Sequence, residues 1–480
     1  MTLPTDVTYA AWLAQEERTR QANVVLSRNY YDGIHDVRLT ERQKEFLGFN
    51  SPDGWRFALN YCDTVVDAIV DRLTLKAMHS ASGAKEADEW AREVLKANRM
   101  DGIQDDVAIG AVRDSEYFVI VDWNAGGRYP RMSPHPRYTD PQVDGDGYGC
   151  KVHYPEGDPS LPALYASKRW VETHQEGDKA ITKSHMNLYW PDRTEWYELQ
   201  GGGDTTGWGN PVKVTPWKDR RNRPLGIPVF HFVNPGDKSE LWNAIPVQDA
   251  INKTAVDILA VADANGWGFL VATGFMPTTD SQEPAADGSN LLKIHPGMWN
   301  VIPNADGKLA RLAGEDLTPL LALLDSLIFK LAQVTDTPIT RFQVGMQVRA
   351  EGTLQQQEEP LIAKVEKRQT AFGNTWEDAL QMCVRLQNAF GGGTLDEDDR
   401  FESEWEPAQK RDKMADELAF WLAAEQAGKA GVPLAAFLEL QNWDQEKIDK
   451  IVGSEEYQAK VAMRQRAVES FGQPQQAEEG

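Results

Sequence analysis

Residues 317–390 read LTPLLALLDSLIFKLAQVTDTPITRFQVGMQVRAEGTLQQQEEPLIAKVEKRQTAFGNTWEDALQMCVRLQNAF, and the fold turns on how this stretch divides. Leu317–Val334 sets Leu320, Leu324, Leu327, Ile328 and Leu331 at three- and four-residue spacing, the pattern of a helix with a wide apolar face. Thr353–Phe390 repeats the pattern with Leu354, Leu361, Val365, Phe372, Trp376, Leu380 and Cys383. Drawn straight, that run would span roughly 57 Å, about the diameter of a compact body of this chain length. Pro360 cannot donate a backbone bond and its ring crowds the preceding turn, so a kink is expected there. Gly373 weakens the run locally. Between the two helices, Asp336–Gly352 (DTPITRFQVGMQVRAEG) has no period and is punctuated by Pro338 and Gly345. It reads as a mobile, exposed loop.

Working outward on the N-terminal side, Pro246–Asn265 is a further helix. Pro246 suits its first position and Asn265-Gly266 its end. Residues 267–316 then form an insert with strand-like runs at 268–275, 291–302 and 308–312, and with Asp306-Gly307 as a hairpin turn. At about 50 residues the insert is near the lower limit for a self-sufficient core, so it should lean on a neighbour, either within the chain or in another subunit. The two flanking helices hold it away from the main body.

Residues 7–32, 60–75, 85–98 and 103–113 are helical in pattern. At Tyr117–Trp123 (YFVIVDW) the period changes to that of a buried strand. Strand-like runs follow at 148–154, 163–172, 186–190, 195–199 and 227–233. Helices first and hairpins after give an α+β fold with a mainly antiparallel sheet. On the C-terminal side, Phe401–Glu406 alternates like a strand returning to that sheet. From Pro407 the pattern is helical to Phe471.

The composition narrows the function. The chain has 480 residues, 41% of them hydrophobic, with 16 Trp, enough for a substantial core in two to four domains. A formal net charge of −23 argues against a protein that grips nucleic acid, which needs a basic face. Three scattered cysteines, Cys62, Cys150 and Cys383, form no CxxC and fit a reducing compartment. Met1–Arg18 lacks the apolar core of a signal peptide. No uncharged apolar run is long enough to span a membrane; Leu317–Val334 carries Asp325 and Lys330. A soluble cytoplasmic protein with no membrane partner is the expectation.

Signals for chemistry are thin. Asp144-Gly-Asp146-Gly147 opens like a calcium loop but lacks the later ligands and the terminal Glu. His135, His153, His174 and His185 lie without HExxH or a paired Cys, so no metal is expected. Gly201–Gly203 and Gly391–Gly393 lack the Lys-Ser/Thr of a phosphate loop. Trp190, Trp196, Glu195 and Glu198 are the nearest approach to a glycoside hydrolase's aromatic platform and carboxylate pair. They alternate as a strand does, and a strand is the simpler reading. No catalytic residue, cofactor or metal site is assigned.

The order of parts resembles the portal proteins of tailed bacteriophages of the siphophage type. Ile227–Phe232 (IPVFHF), Gly236–Leu241 (GDKSEL) and Gln248–Lys253 (QDAINK) are similar to that family's entry into its stem helix. Asn60–Asp67 (NYCDTVVD), followed by Arg72-Leu73, is similar to its wing helix. Ala350–Leu354 (AEGTL) running into Leu361–Val365 (LIAKV) looks like the entry into its long kinked helix. The resemblance implies a wing (1–238), a stem helix (239–266), a β-rich clip (267–316), a second stem helix (317–335) and a tunnel loop (336–352). A long kinked helix with a returning wing strand (353–406) and a helical crown (407–480) complete it.

It also implies a homo-oligomeric ring, usually of twelve copies, at one capsid vertex of the virion, assembled in the host cytoplasm. Double-stranded DNA would pass through the ring during packaging and ejection. The packaging motor (large terminase) and head–tail adaptor would dock on it, beside capsid and scaffold proteins. The tunnel-loop residues Arg341, Gln343, Val344, Gly345, Met346, Gln347 and Arg349 are the DNA-facing candidates. Arg341 and Arg349 either touch phosphate in passing or pair with acids of neighbouring subunits. An acidic chain suits passage, because each neutralised phosphate adds affinity and would slow a sliding duplex. Another ring-forming virion connector is the alternative, though such proteins are shorter and lack a helix pair that carries an insert.

Overall fold

The computed structural model describes residues 15–35, 58–138, 149–157, 161–176, 179–200, 210–267, 270–273, 308–311, 316–342, 351–409, 421–424, 426 and 438. The chain divides into two compact units, Met1–Ala408 and Gln409–Gly480. In the second, 421–424 are helical, and Ala424 and Leu438 are buried. The rest of the helical pattern read there lies outside the described residues.

Unit 1 opens with four helices and a strand before its main sheets. These are α1 (Gln15–Tyr31), α2 (Cys62–Val70), β1 (Leu75–Ser80), α3 (Lys85–Ala97) and α4 (Met100–Asp114). The next strands, β2 (Glu116–Asn124), β3 (Tyr129–Pro136) and β9 (Val229–Val233), form an antiparallel sheet in the order β3-β2-β9. The central strand is buried on both faces. Val119 and Val121 join the main core, while Phe118 and Ile120 join a second core with Cys150, Val152 and Val229. That is why YFVIVDW is continuously apolar rather than alternating.

β3 holds Pro130, Pro134 and Pro136, which hid it from a pattern reading. Their even spacing turns all three ring nitrogens to the outer edge, where no ladder bond is lost. Met132, of the same parity, donates instead to Asn98 Oδ1 at 2.8 Å. The intervening strands β4 (Cys150–His153), β5 (Tyr165–Glu176), β6 (Lys179–Tyr189), β7 (Arg193–Gln200) and β8 (Lys213–Pro216) make a separate five-stranded antiparallel meander.

Helix α5 (Ala244–Trp267) starts two residues earlier than expected, so Pro246 is third rather than first. The first four amides of a helix have no partner within it, so proline is equally harmless there. Strands β10 (Leu270–Thr273) and β11 (Lys308–Arg311) pair antiparallel within the insert. Residues 291–302 and the Asp306-Gly307 turn lie outside the described residues. Helix α6 (Thr318–Thr335) packs against α5.

Helix α7 (Glu351–Leu386) is the spine. It runs through Pro360 as one element and ends in a π turn, Gln387–Gly391, with Gly392 left-handed at φ +82°. Leu361, Val365, Phe372, Trp376, Leu380, Cys383 and Leu386 are all buried along it. Phe232 of β9 sits against Trp376, ring centroids 4.6 Å apart, and edge-on to Phe372.

The last strand of unit 1, β12 (Phe401–Trp405), does not return to the main sheet. It pairs antiparallel with β1 in a two-stranded sheet of its own. The helix expected over 60–75 accordingly stops at Val70, and the chain turns into β1. The segment Leu75–Ser80 (LKAMHS) holds no β-branched residue. It becomes a strand because β12 supplies its ladder, a context that overrides local preference.

Candidate functional site

The expected DNA-facing residues fall in the sequence between α6 and α7, and of them Arg341 is described. Helix α6 ends when Thr335 turns its hydroxyl back to Leu331 O (2.8 Å) and Asp336 adopts a left-handed φ of +53°. Thr337 N–H closes the cap on Ala332 O at 3.0 Å. Pro338 leads into a single 3-10 turn, Ile339–Arg341. Ile339 and Phe342 are buried, and Phe342 meets Tyr61 edge-on at 5.7 Å. The chain is therefore anchored up to Phe342. Gln343, Val344, Gly345, Met346, Gln347 and Arg349 lie outside the described residues.

Arg341 donates through Nη1 to Asp71 Oδ2 of its own chain at 3.0 Å. Neither phosphate nor a neighbouring subunit is needed to satisfy it in this arrangement. The pair is partly exposed and contributes at most about 1 kcal/mol, so it restrains the side chain only weakly.

A stronger anchor lies beneath the junction, and sequence reading missed it. Lys364 Nζ donates to Thr335 O (2.9 Å) and Glu240 Oε2 (3.2 Å), and pairs with Asp336 Oδ2 at 3.1 Å. One turn on, Arg368 pairs with Glu240 Oε1 and donates through Nε to Asn234 Oδ1 at 2.9 Å. The Arg368 side chain is only 3% exposed. Burial pulls its pKa below the ordinary guanidinium range, and the Glu240 carboxylate pushes it back up. The network ties the end of α6 and the body of α7 to the loop before α5. The signal for it was present: Arg368 falls on the apolar stripe Leu361–Val365–Phe372, where a buried charge must find a partner.

The other distinctive surface belongs to α6. Ile328, Leu331, Ala332 and Thr335 are buried within the subunit. Beside them Leu323, Leu327 and Val334, spaced by four and seven, make a second apolar stripe on the same helix. Leu323 is 47% and Val334 44% exposed, and Phe329 on another face is 54% exposed. The length and hydropathy of α6 would also suit a membrane span, but Asp325 and Lys330 are exposed upon it.

The carboxylate pair of the glycoside-hydrolase alternative does not come together. Glu195 and Glu198 lie on opposite faces of β7, since their spacing is odd. Glu195 is buried against Arg193 Nε (2.7 Å) and the Tyr197 hydroxyl (2.9 Å). Glu198 pairs with Lys183. Trp190 packs on Tyr165 and under the Arg193 guanidinium. No group of three or more metal-ligating residues occurs among the described residues. His135, His153 and His185 are held by Lys168, Ser167 and a stack on Trp170 respectively. Asp144–Gly147 and Gly201–Gly203 lie outside the described residues.

Comparison with known proteins gives a consistent answer. The profile of the family described as phage portal protein, SPP1 Gp6-like, matches residues 158–458, more than half of the chain. The chain is 22% identical to the portal protein of Mycobacterium phage D29 over 459 residues, covering 88% of this chain and 86% of that protein. It is 21% identical to the portal protein of Mycobacterium phage L5 over 404 residues, covering 78% and 74%.

Proposed function

Because this chain belongs to the SPP1 Gp6-like phage portal protein family, we propose that its copies close into a ring, of twelve subunits, through which double-stranded DNA is packaged and ejected. Membership makes it a structural component of the virion at the capsid, with a head–tail connecting role, rather than a catalyst. In this reading α5 and α6 are the stem, and 267–316 are the clip that meets the packaging motor and the head–tail adaptor. Residues 336–352 are the tunnel loop, α7 is the long helix kinked at Pro360, and 407–480 are the crown.

The observation that carries the ring is the second apolar stripe of α6. An 18-residue helix of this hydropathy, with Leu323 and Val334 nearly half exposed, calls for cover that the described residues of its own subunit do not provide. A neighbouring copy of α5 or α6 supplies such cover at every position around a ring. The electrostatics favour passage. The chain carries −23, and Arg341, at the root of the loop, is already paired with Asp71. Weak phosphate contact releases few counterions and leaves the duplex free to slide.

Negative-stain electron microscopy with native mass spectrometry of the purified chain tests this. Rings pierced by a channel wide enough for a duplex, at a single multiple of the subunit mass, are expected. A monodisperse monomer at micromolar concentration, with and without salt, is the result that would overturn it.

A further inference from the structure

The two-stranded sheet of β1 and β12 leaves part of the outer edge of β1 without a strand partner among the described residues. Ladder parity follows from two bonds, Ala81 N–H to Arg400 O and Glu406 N–H to Thr74 O, with a bulge at Lys76 between Leu75 and Ala77. Ala77 and His79 face β12, so Met78 presents its N–H and C=O to the outer edge. That edge is capped at both ends by side chains. Leu75 N–H donates to Gln104 Oε1 (2.7 Å) and Ser80 N–H to Asp88 Oδ1 (2.6 Å). Between the caps, Met78 has no hydrogen-bond partner on this edge among the described residues, although the residue is only 3% exposed.

A groove of about 690 Å³ runs along this edge, walled by α3 and the start of α4. Its floor is apolar, with Leu75, Met78 and Met100 buried and Leu95 half-buried. Its rim is basic. Arg92, Lys96 and Arg99 are exposed, line the groove, and form no ion pair among the described residues. The other cations there are already neutralised. Lys76 pairs with Glu404, and His79 with Glu404 at 2.9 Å. Asp88 is occupied by the Ser80 amide, which leaves Asp101 as the one acid of the groove without a described partner.

Arg99 is held at the rim by strained backbone. It adopts a left-handed φ of +54°, which residues other than glycine avoid. The preceding Asn98 fixes that turn, donating to Val94 O and Pro130 O and accepting from Met132. Three cations without a partner among the described residues, over an apolar floor, stand out on a chain of net charge −23.

We propose that this groove captures an extended, acidic segment of another protein by strand addition to β1. The guest's backbone pairs with Met78, one row of its side chains enters the floor, and its carboxylates meet Arg92, Lys96 and Arg99. Main-chain bonds supply affinity and the rim charges supply selection, the division of labour usual for an added strand. Nucleic acid fits less well, since phosphates gain nothing from an apolar floor and cannot complete a strand edge.

The full chain is titrated with a fluorescein-labelled octapeptide of alternating valine and glutamate, its valine–lysine counterpart, and a short labelled DNA duplex. Binding of the acidic peptide alone, below about 1 mM, is expected, weakened at least tenfold in R92E/K96E and by high salt. Hydrogen exchange of residues 75–80 should slow in the complex. Arg92 and Lys96 are exposed, so the variant should fold, and an unchanged unfolding curve checks this. The proposal falls if the acidic peptide fails to bind, if the lysine peptide or the duplex binds as well, or if R92E/K96E retains full affinity. It also falls if binding leaves residues 75–80 unprotected.

Discussion

Introducing charge on the outer stripe of α6 tests the assembly reading most directly. Fully burying a leucine or valine side chain is worth about 1.5–3 kcal/mol. Leu323 and Val334 leave nearly half of that unrealised in the isolated subunit, so covering both in an interface gains roughly 2 kcal/mol. L323E/V334E removes that gain. It also forces two carboxylates to be desolvated if the interface still forms, at several kcal/mol each. Since about 1.4 kcal/mol is a factor of ten, association at each interface should fall by more than about a thousandfold. The subunit itself should be nearly unaffected, because both positions are exposed and surface changes usually stay within about 0.5 kcal/mol. Native mass spectrometry and sedimentation velocity at micromolar concentration read the assembly, and thermal unfolding of the monomer reads the fold. Rings of unchanged stability from the variant would refute the reasoning and place the subunit contacts elsewhere.

Three further outcomes follow from the junction and the sheets. Arg368→Met leaves Glu240 buried beside Lys364 alone and should cost about 3–5 kcal/mol in denaturant unfolding, whereas an exposed-pair loss below about 1 kcal/mol would deny the network its anchoring role. Burial, followed by the charges of Lys168 and Arg131, pushes the His135 pKa down to about 3, and Lys168 Nζ sits 3.2 Å from its Nε2. The folded state therefore binds fewer protons than the unfolded one below the ordinary histidine pKa near 6.5. Stability is full above that value and falls as pH drops toward 3, by about 2 kcal/mol at pH 5. His135→Gln should flatten unfolding curves between pH 8 and 5, and an unaltered slope would count against a neutral buried imidazole. Pro360→Ala restores a helix bond on the exposed side of α7 and should straighten it and raise its stability by up to about 3 kcal/mol; an unchanged axis in the variant would clear Pro360 as the source of a bend.

Several parts of this protein were determined by sequence alone. The helices α5, α6 and α7 and the buried strand β2 carry periodicity strong enough to survive any packing, and the antiparallel pair β10–β11 falls where two strand-like runs were read. The order of these parts was enough to indicate a portal-type subunit. Tertiary structure decided what local pattern cannot encode. β1 is a strand only because β12 arrives from the far end of unit 1, and β3 tolerates three prolines only because it lies at an edge. Arg341 meets Asp71, and Arg368 meets Glu240, through contacts between residues far apart in the chain, so no window of sequence could show either pair. The interruption between α6 and α7 was legible as a break in period. Its anchorage by Phe342, Lys364 and Arg368 was not, because a side chain's partner is fixed by the meeting of elements and not by the element that carries it.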